Sequence, residues 1–151
     1  MIIDNNLEFC DATALDTSGT DTDLIGDVLD LGSTGREIGL SSQPLYLVIQ
    51  VDTAVTSAGN ATVQFHLASD AAAAIAVDGT ASYHWSSKAF AKATLVAGFT
   101  LVVPLPTGSG AEYERYLGIL TTTGTAAVTA GKINAFITTD AQRYVSTADA
   151  L

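Results

Sequence analysis

Apolar and polar residues alternate with a period of two in several segments of the chain. In residues 61–67 small and large apolar side chains occupy one parity, and Thr62, Gln64 and His66 occupy the other. Successive side chains of a β-strand point to opposite faces, so this pattern predicts a strand buried on one side. The same alternation predicts strands over residues 81–86, 99–105 and 132–137. Pro104 has no backbone donor, so the strand that contains it is predicted to lie at a sheet edge or to end there.

Other segments predict strands of a different kind. Residues 45–51 and 116–120 are apolar on both parities, which is typical of central strands covered on both faces. Two further short strands are predicted near the N-terminus, over residues 3–9 and 24–31. Frequent Gly, Ser and Asn turn signals separate these segments. Many short strands joined by turns predict an all-β fold, an antiparallel sandwich or barrel.

Three segments do not fit the alternating pattern. Residues 71–76 and 88–97 are rich in alanine, the best helix former, so each could hold a short helix. The threonine-rich residues 121–131 are predicted to connect two strands. No long amphipathic helix is predicted anywhere, so helix should remain a minor component of the fold.

The length and the charge distribution define the predicted organisation. A chain of 151 residues predicts one domain. Residues 1–40 hold nine acidic residues against Arg36 alone, a net charge of −8. We therefore expect an acidic N-terminal arm or loop over residues 1–23, followed by a nearly neutral body over residues 24–151. Because Ile3, Leu7 and Phe9 share one parity and the next stretch is polar, we expect residues 1–30 to include an arm that crosses to a neighbouring molecule.

The overall charge argues against two classes of partner. The sequence has a net charge of −10 and only six basic residues, which are too few for a patch that binds phosphate groups. We therefore expect no nucleic acid and no anionic membrane as partner. The single cysteine, Cys10, excludes an internal disulfide and fits synthesis in a reducing cytoplasm. The first residues carry no basic segment of a secretory signal, and we expect a soluble protein.

Candidate chemistry is sparse in this sequence. His66 and His84 fall on the polar parity of predicted strands without a G-x-S-x-G motif, which favours surface or interface imidazoles over catalytic ones. The acidic run from Asp21 resembles a calcium loop, but Gly32 stands where the twelfth-position glutamate is needed. Glu112 and Glu114 could form a carboxylate pair of the kind that glycosidases use, but a charge cluster at a turn is favoured. We predict no catalytic residue, no metal ligand and no cofactor.

Aromatic residues are the best candidates for a contact surface. Tyr83, Trp85, Tyr113 and Tyr116 carry large rigid rings, the side chains that dominate binding hot spots. For Trp85 a place in the core is an equally good interpretation.

Several stretches taken together indicate a family. They are Leu31 to Gly39 (LGSTGREIG), Gln43 to Ala54 (QPLYLVIQVDTA), Ala93 to Gly98 (ATLVAG), Pro104 to Pro106 (PLP), Arg115 to Leu117 (RYL) and Thr129 to Phe136 (TAGKINAF). Their order and spacing over roughly residues 24–140 resemble the capsid cement (decoration) proteins of short-tailed bacteriophages such as the Bordetella phages.

The resemblance has definite implications. It implies a jelly-roll β-sandwich that forms a homodimer or homotrimer on the outside of an icosahedral head. There it would bind the phage major capsid protein and clamp neighbouring subunits, with no enzyme activity and no cofactor. It also implies contact roles for Arg36, Arg115 and Tyr116. The candidate interface residues are Ile3, Leu7, Phe9, Arg36, Tyr83, Trp85, Tyr113, Arg115 and Tyr116.

Two other function classes stay open from the sequence. A jelly-roll carbohydrate-binding or fibre module of a phage virion would use Tyr83, Trp85 and Tyr113 to stack on sugar rings. An enzyme is the weakest alternative, because no nucleophile, base or metal ligands converge in the sequence.

Overall fold

A computed structural model describes residues 5–34, 38, 43–107 and 112–140 of the chain. Their regular structure consists of one short 3-10 turn, Asn5–Leu7, and nine β-strands. The strands are β1 (Glu8–Ala14), β2 (Thr22–Asp30), β3 (Tyr46–Thr56), β4 (Thr62–Asp70), β5 (Ser82–Ser86), β6 (Phe90–Ala91), β7 (Thr100–Pro104), β8 (Tyr116–Gly124) and β9 (Ala130–Thr138). Within these ranges no helix is long and apolar enough to cross a membrane.

The strands form two antiparallel sheets. The first sheet has the order β1-β9-β3-β7. The second has the order β2-β8-β4-β5, and β6 also pairs with β4. All strand pairs are antiparallel, and residues of both sheets contribute to one shared hydrophobic core. The predicted all-β antiparallel sandwich is therefore confirmed.

The core follows the period-two pattern of the sequence. In β4 the residues Val63, Phe65 and Leu67 are buried in the shared core, as the alternation in residues 61–67 predicts. Leu47 and Ile49 of β3 face them from the other sheet. Burying each of these large apolar side chains contributes about 1.5–3 kcal/mol, so the two inner faces hold the sheets together.

The positions of central and edge strands also agree with the sequence. The strand β3 lies between β9 and β7, and β8 lies between β2 and β4, so both uniformly apolar segments are central strands. The strand β7 lies at the edge of the first sheet and ends at Pro104, where the absence of a backbone donor costs no ladder bond.

The described N-terminal residues belong to the sandwich. The strand β1 pairs with β9, and β2, which contains the predicted boundary at residue 23, pairs with β8. Phe9 is fully buried in the core of its own chain. Gly26 allows β2 to approach β1 closely, because a Cβ there would lie 2.2 Å from the Phe9 carbonyl oxygen. Residues 8–14 thus form an edge strand of the first sheet, which overlaps the strand predicted over residues 3–9.

Neither alanine-rich segment is helical. Residues 71–76 belong to a loop, and residues 88–97 contain β6 and a turn. Intrinsic propensity is overruled here by tertiary packing, because Ile75 and Leu95 are buried against the sheets. The threonine-rich segment is also shorter as a connection than predicted, because β8 continues to Gly124.

Candidate interaction surface

A loop covers part of the outer face of the second sheet. Residues 71–81, which we call the β4–β5 loop, fold back over this face and bury Ile75 there. Ile75 packs with Ala68 of β4 and Leu120 of β8 in a second, smaller hydrophobic cluster. Gly118 of β8 provides the space, because a Cβ at this position would lie 2.6 Å from Ile75 Cδ1. The loop is therefore packed against the sheet.

Two aspartates fix the ends of the β4–β5 loop. The Asp70 carboxylate accepts hydrogen bonds from the backbone N–H groups of Ala72 at 3.1 Å and Ala76 at 2.9 Å. The Asp78 carboxylate accepts them from the N–H of Thr80 at 3.0 Å and from its hydroxyl at 2.6 Å. These bonds lower the pKa of both aspartates, so both are ionised at neutral pH.

A chain of hydrogen bonds crosses the same face beside the loop. His66 Nδ1 lies 2.7 Å from Ser86 Oγ, and His66 Nε2 lies 3.0 Å from Thr122 Oγ1. Thr122 in turn lies 2.7 Å from Thr22 Oγ1. The chain thus takes one residue from each of β5, β4, β8 and β2. His66 is buried, which lowers its pKa. His66 is therefore not a surface imidazole, because hydroxyl groups of both flanking strands contact its ring nitrogens, and the interface alternative stays a prediction.

Tyr83 lies on this outer face and remains accessible. Its side chain is 37% exposed and makes a T-shaped contact with the His66 ring, with centroids 5.1 Å apart. Burial of the phenol and the negative charge of Asp78 raise the pKa of Tyr83. Tyr83 is therefore placed beside the β4–β5 loop, where its exposed edge can contact a partner.

A β-bulge turns the neighbouring aromatic residue inward. The register of β4 with β5 shifts between Leu67, which pairs with Trp85, and Ala68, which pairs with Tyr83. The half-buried Trp85 packs against the shared core. The packing of Trp85 therefore supports its interpretation as a core residue.

The bulged residue, His84, belongs to a buried polar cluster. Its Nε2 lies 2.7 Å from Ser69 Oγ, and its ring centroid lies 4.2 Å from that of Tyr113. Ser69 is fully buried and also accepts the backbone N–H of Glu114 at 2.9 Å. Through these contacts Ser69 connects β4 with β5 and with the segment before β8.

Three other candidate contact residues pack within their own chain, two of them fully buried and one half-buried. Tyr113 is buried, and its hydroxyl donates to the Pro106 carbonyl oxygen at 2.6 Å. Phe9 is buried and Leu7 is half-buried, and both pack in or against the shared core. Packing within their own chain satisfies these apolar side chains. Phe9 and Tyr113 are therefore not exposed for contact with a neighbour, whereas Leu7 keeps part of its surface accessible.

Arg115 and Tyr116 lie together at the end of the second sheet. The Arg115 guanidinium donates to the Asp30 carboxylate through Nε and Nη2, each at 2.9 Å. It also lies 5.0 Å above the Tyr116 ring. Arg115 lowers the pKa of Asp30 to about 2, and both side chains are exposed. Tyr116 pairs with Asp70, where the β4–β5 loop begins, so this pair borders the same surface.

The acidic segment before β2 does not form a recognisable metal site. Asp16 and Asp21 lie close to Asp23, and their charges together with burial raise the pKa of Asp23 to about 6. Among residues 5–34, 38, 43–107 and 112–140, no group of three or more His, Cys, Asp or Glu side chains is arranged to hold a metal ion.

The structure therefore brings together only part of the predicted interface. Tyr83, Arg115 and Tyr116 lie on or beside one surface, whereas Ile3 and Arg36 fall outside the described residues. The β4–β5 loop was not predicted as a surface feature. The sequence feature that could have indicated this loop is the uncharged apolar run of residues 71–77 between Asp70 and Asp78.

Fold and surface together define the class, a two-sheet antiparallel β-sandwich with aromatic and apolar residues exposed on the outer face of one sheet. The sequence matches the Bbp16 family model over residues 9–137, and the chain therefore belongs to the Bbp16 family. This is a Bordetella phage protein family, which supports a bacteriophage origin and a virion-associated protein. Comparison with curated proteins gives no match.

Proposed function

We propose that this protein is a capsid decoration protein. It binds the outer surface of the icosahedral head and stabilises contacts between neighbouring subunits of the phage major capsid protein. It attaches as a homodimer or homotrimer and has no enzyme activity and no cofactor. The observation that carries the proposal is the family match, which covers all nine strands of the sandwich except the first residue of β1 and the last of β9.

The strand order supports the finer assignment of the sandwich as a jelly roll. Successive strands alternate between the two sheets from β1 to β4, and again from β5 through β7 and β8 to β9. The step from β4 to β5 stays within one sheet. Two four-stranded sheets with this connectivity are what a jelly roll of two Greek keys requires, with β6 as a short addition.

The charge and rigidity of the protein suit a place on the outside of a head. A net charge of −10 disfavours contact with packaged nucleic acid. The hydrogen-bonded chain across the second sheet and the packed β4–β5 loop give a preformed surface that loses little entropy on binding. On a symmetric shell many copies of such a contact add up, because linked sites reinforce one another.

The carbohydrate-binding alternative receives less support from the geometry. A stacking platform needs several aromatic faces exposed side by side. Trp85 packs against the core and Tyr113 is buried, so of the three proposed rings only Tyr83 is exposed. A glycan array combined with Tyr83→Ala would separate the alternatives, since a decoration protein should bind no glycan.

The direct test is attachment to heads. Purified protein is mixed with undecorated heads of its phage, and bound protein is measured after sedimentation. We expect saturable attachment at a fixed ratio to the major capsid protein, and heads that resist heating better when decorated. An unrelated acidic protein of similar size is the control. Absence of saturable attachment would overturn the proposed function, and native mass of the free protein would identify the oligomer.

A further inference from the structure

The β4–β5 loop exposes an uncharged apolar segment. Residues 71–77 contain only alanine, isoleucine and valine, and Val77 is 45% exposed. All four residues from Ala71 to Ala74 are exposed as well. Ile75 alone in this segment is fully turned into the protein. Exposed apolar residues that are contiguous and uncharged are typical of interaction sites.

The loop is held in one arrangement before any partner binds. Asp70 binds two backbone N–H groups of the loop, Asp78 closes its second turn, and Ile75 anchors its middle on Ala68 and Leu120. Alanine side chains also lose no rotamer entropy when they are covered. Both features reduce the entropic cost of docking.

The charges around the loop identify the kind of partner. The ionised carboxylates of Asp70 and Asp78 stand at its two ends. The nearby guanidinium of Arg115 is bound to Asp30. A second copy docked symmetrically on this loop would place acidic groups against acidic groups, which is unfavourable. A different protein with basic side chains around an apolar groove would be complementary.

We propose that the β4–β5 loop and Tyr83 form the docking element for a partner protein that presents an apolar groove bordered by lysine or arginine. The inference rests on the proposed function, which makes this partner the capsid shell. Val77 and the exposed alanines enter the groove, and Asp78 contacts its basic border. Tyr83, beside Asp78, extends the contact across the sheet.

The test compares two exposed valines in the head-attachment assay. Val77→Asp places a charge in the docking element, and Val96→Asp places the same charge at a valine that is 53% exposed before β7. We expect Val77→Asp to weaken attachment by about tenfold or more, the effect of a binding hot spot. Val96→Asp should bind like the wild type. Unfolding midpoints of both variants must equal that of the wild type.

A third variant tests the charge complementarity. Asp78→Asn retains the side-chain oxygen that accepts from Thr80 and removes the charge. It should weaken attachment and flatten its dependence on salt. If wild type attaches and both loop variants attach equally well, the docking element is wrong while the proposed function stands. If the wild type does not attach, the docking element and the proposed function are both contradicted. Loss of self-association in Val77→Asp would show that a second copy occupies the loop, and would overturn the proposed partner.

Discussion

The side chain of Ile75 occupies space that a side chain at position 118 would otherwise fill. A Cβ on Gly118 would lie 2.6 Å from Ile75 Cδ1, with Leu24 Cδ1 at 3.1 Å and Val28 Cγ1 at 3.2 Å. On the outer face of the second sheet, Gly118 therefore leaves a gap in β8, and the side chain of Ile75 fills it. This contact determines where the β4–β5 loop lies.

Filling the gap should destabilise the protein. Gly118→Val introduces methyl groups into a packed cluster, and overpacking of this kind costs about 1–3 kcal/mol in the free energy of unfolding. Urea unfolding measures the loss. Ile75→Ala in the same background should recover part of it, because the smaller side chain vacates the space. Strictly additive effects of the two substitutions would contradict the contact.

The carboxyl of Asp23 should make stability depend on pH. Its pKa is raised to about 6 by burial and by the charges of Asp16 and Asp21, whereas an unfolded aspartate titrates near about 4. The folded protein holds this proton longer than the unfolded chain, so its contribution to stability is lost as pH rises through about 4 to 6. Asp23→Asn should remove this decline and give a more stable protein at pH 7.

The matched control for this prediction is Asp27→Asn, which removes an exposed carboxylate of the same strand and changes the net charge equally. Urea unfolding between pH 4 and 7 compares the three proteins. Equal pH profiles for Asp23→Asn and the wild type would show that Asp23 titrates normally.

Several strands were predictable because their apolar residues follow one parity and that parity faces the shared core. In residues 61–67 and 132–137 the inward positions are the apolar ones, and the pattern alone reveals both strand and face. The positions of His66 and Ser69 were not predictable in the same way. Their burial depends on partners from other strands, and long-range hydrogen bonds leave no periodic signal in the sequence.

The β4–β5 loop shows the limit of local propensity. Residues 71–76 favour a helix by composition, but Asp70 binds the backbone N–H groups of Ala72 and Ala76 and the sheet buries Ile75. The bulge at His84 is a second case in which the local pattern does not predict the structure. It turns Trp85 inward and leaves Tyr83 outside, although strict alternation places both rings on one face.

His66 should contribute to stability through its two ring hydrogen bonds. His66→Leu removes both, but Thr122 keeps its bond to Thr22 and Ser86 is exposed to water. We therefore expect a loss of about 1 kcal/mol in the free energy of unfolding. Burial lowers the pKa of His66, so protonation favours the unfolded chain and stability should fall as pH drops below about 6.5. His66→Leu should flatten that fall.

Ser86→Ala provides the comparison for His66, because it removes only one of the two hydrogen bonds. Its effect should be smaller, and the decline at low pH should persist since the imidazole is still buried. A loss as large as that of His66→Leu would mean that the bond to Thr122 contributes nothing.

A substitution at Phe9 can distinguish a strand that belongs to the sandwich from an arm that reaches a neighbouring molecule. Its ring is fully buried in its own chain, so Phe9→Ala should lower the free energy of unfolding by about 3–5 kcal/mol at any protein concentration. Leu7→Ala, at a half-buried position, should cost less. A residue that packs on a neighbouring molecule would behave differently. Phe9→Ala would then weaken association and leave the unfolding of the monomer unchanged, which analytical ultracentrifugation together with urea unfolding would reveal.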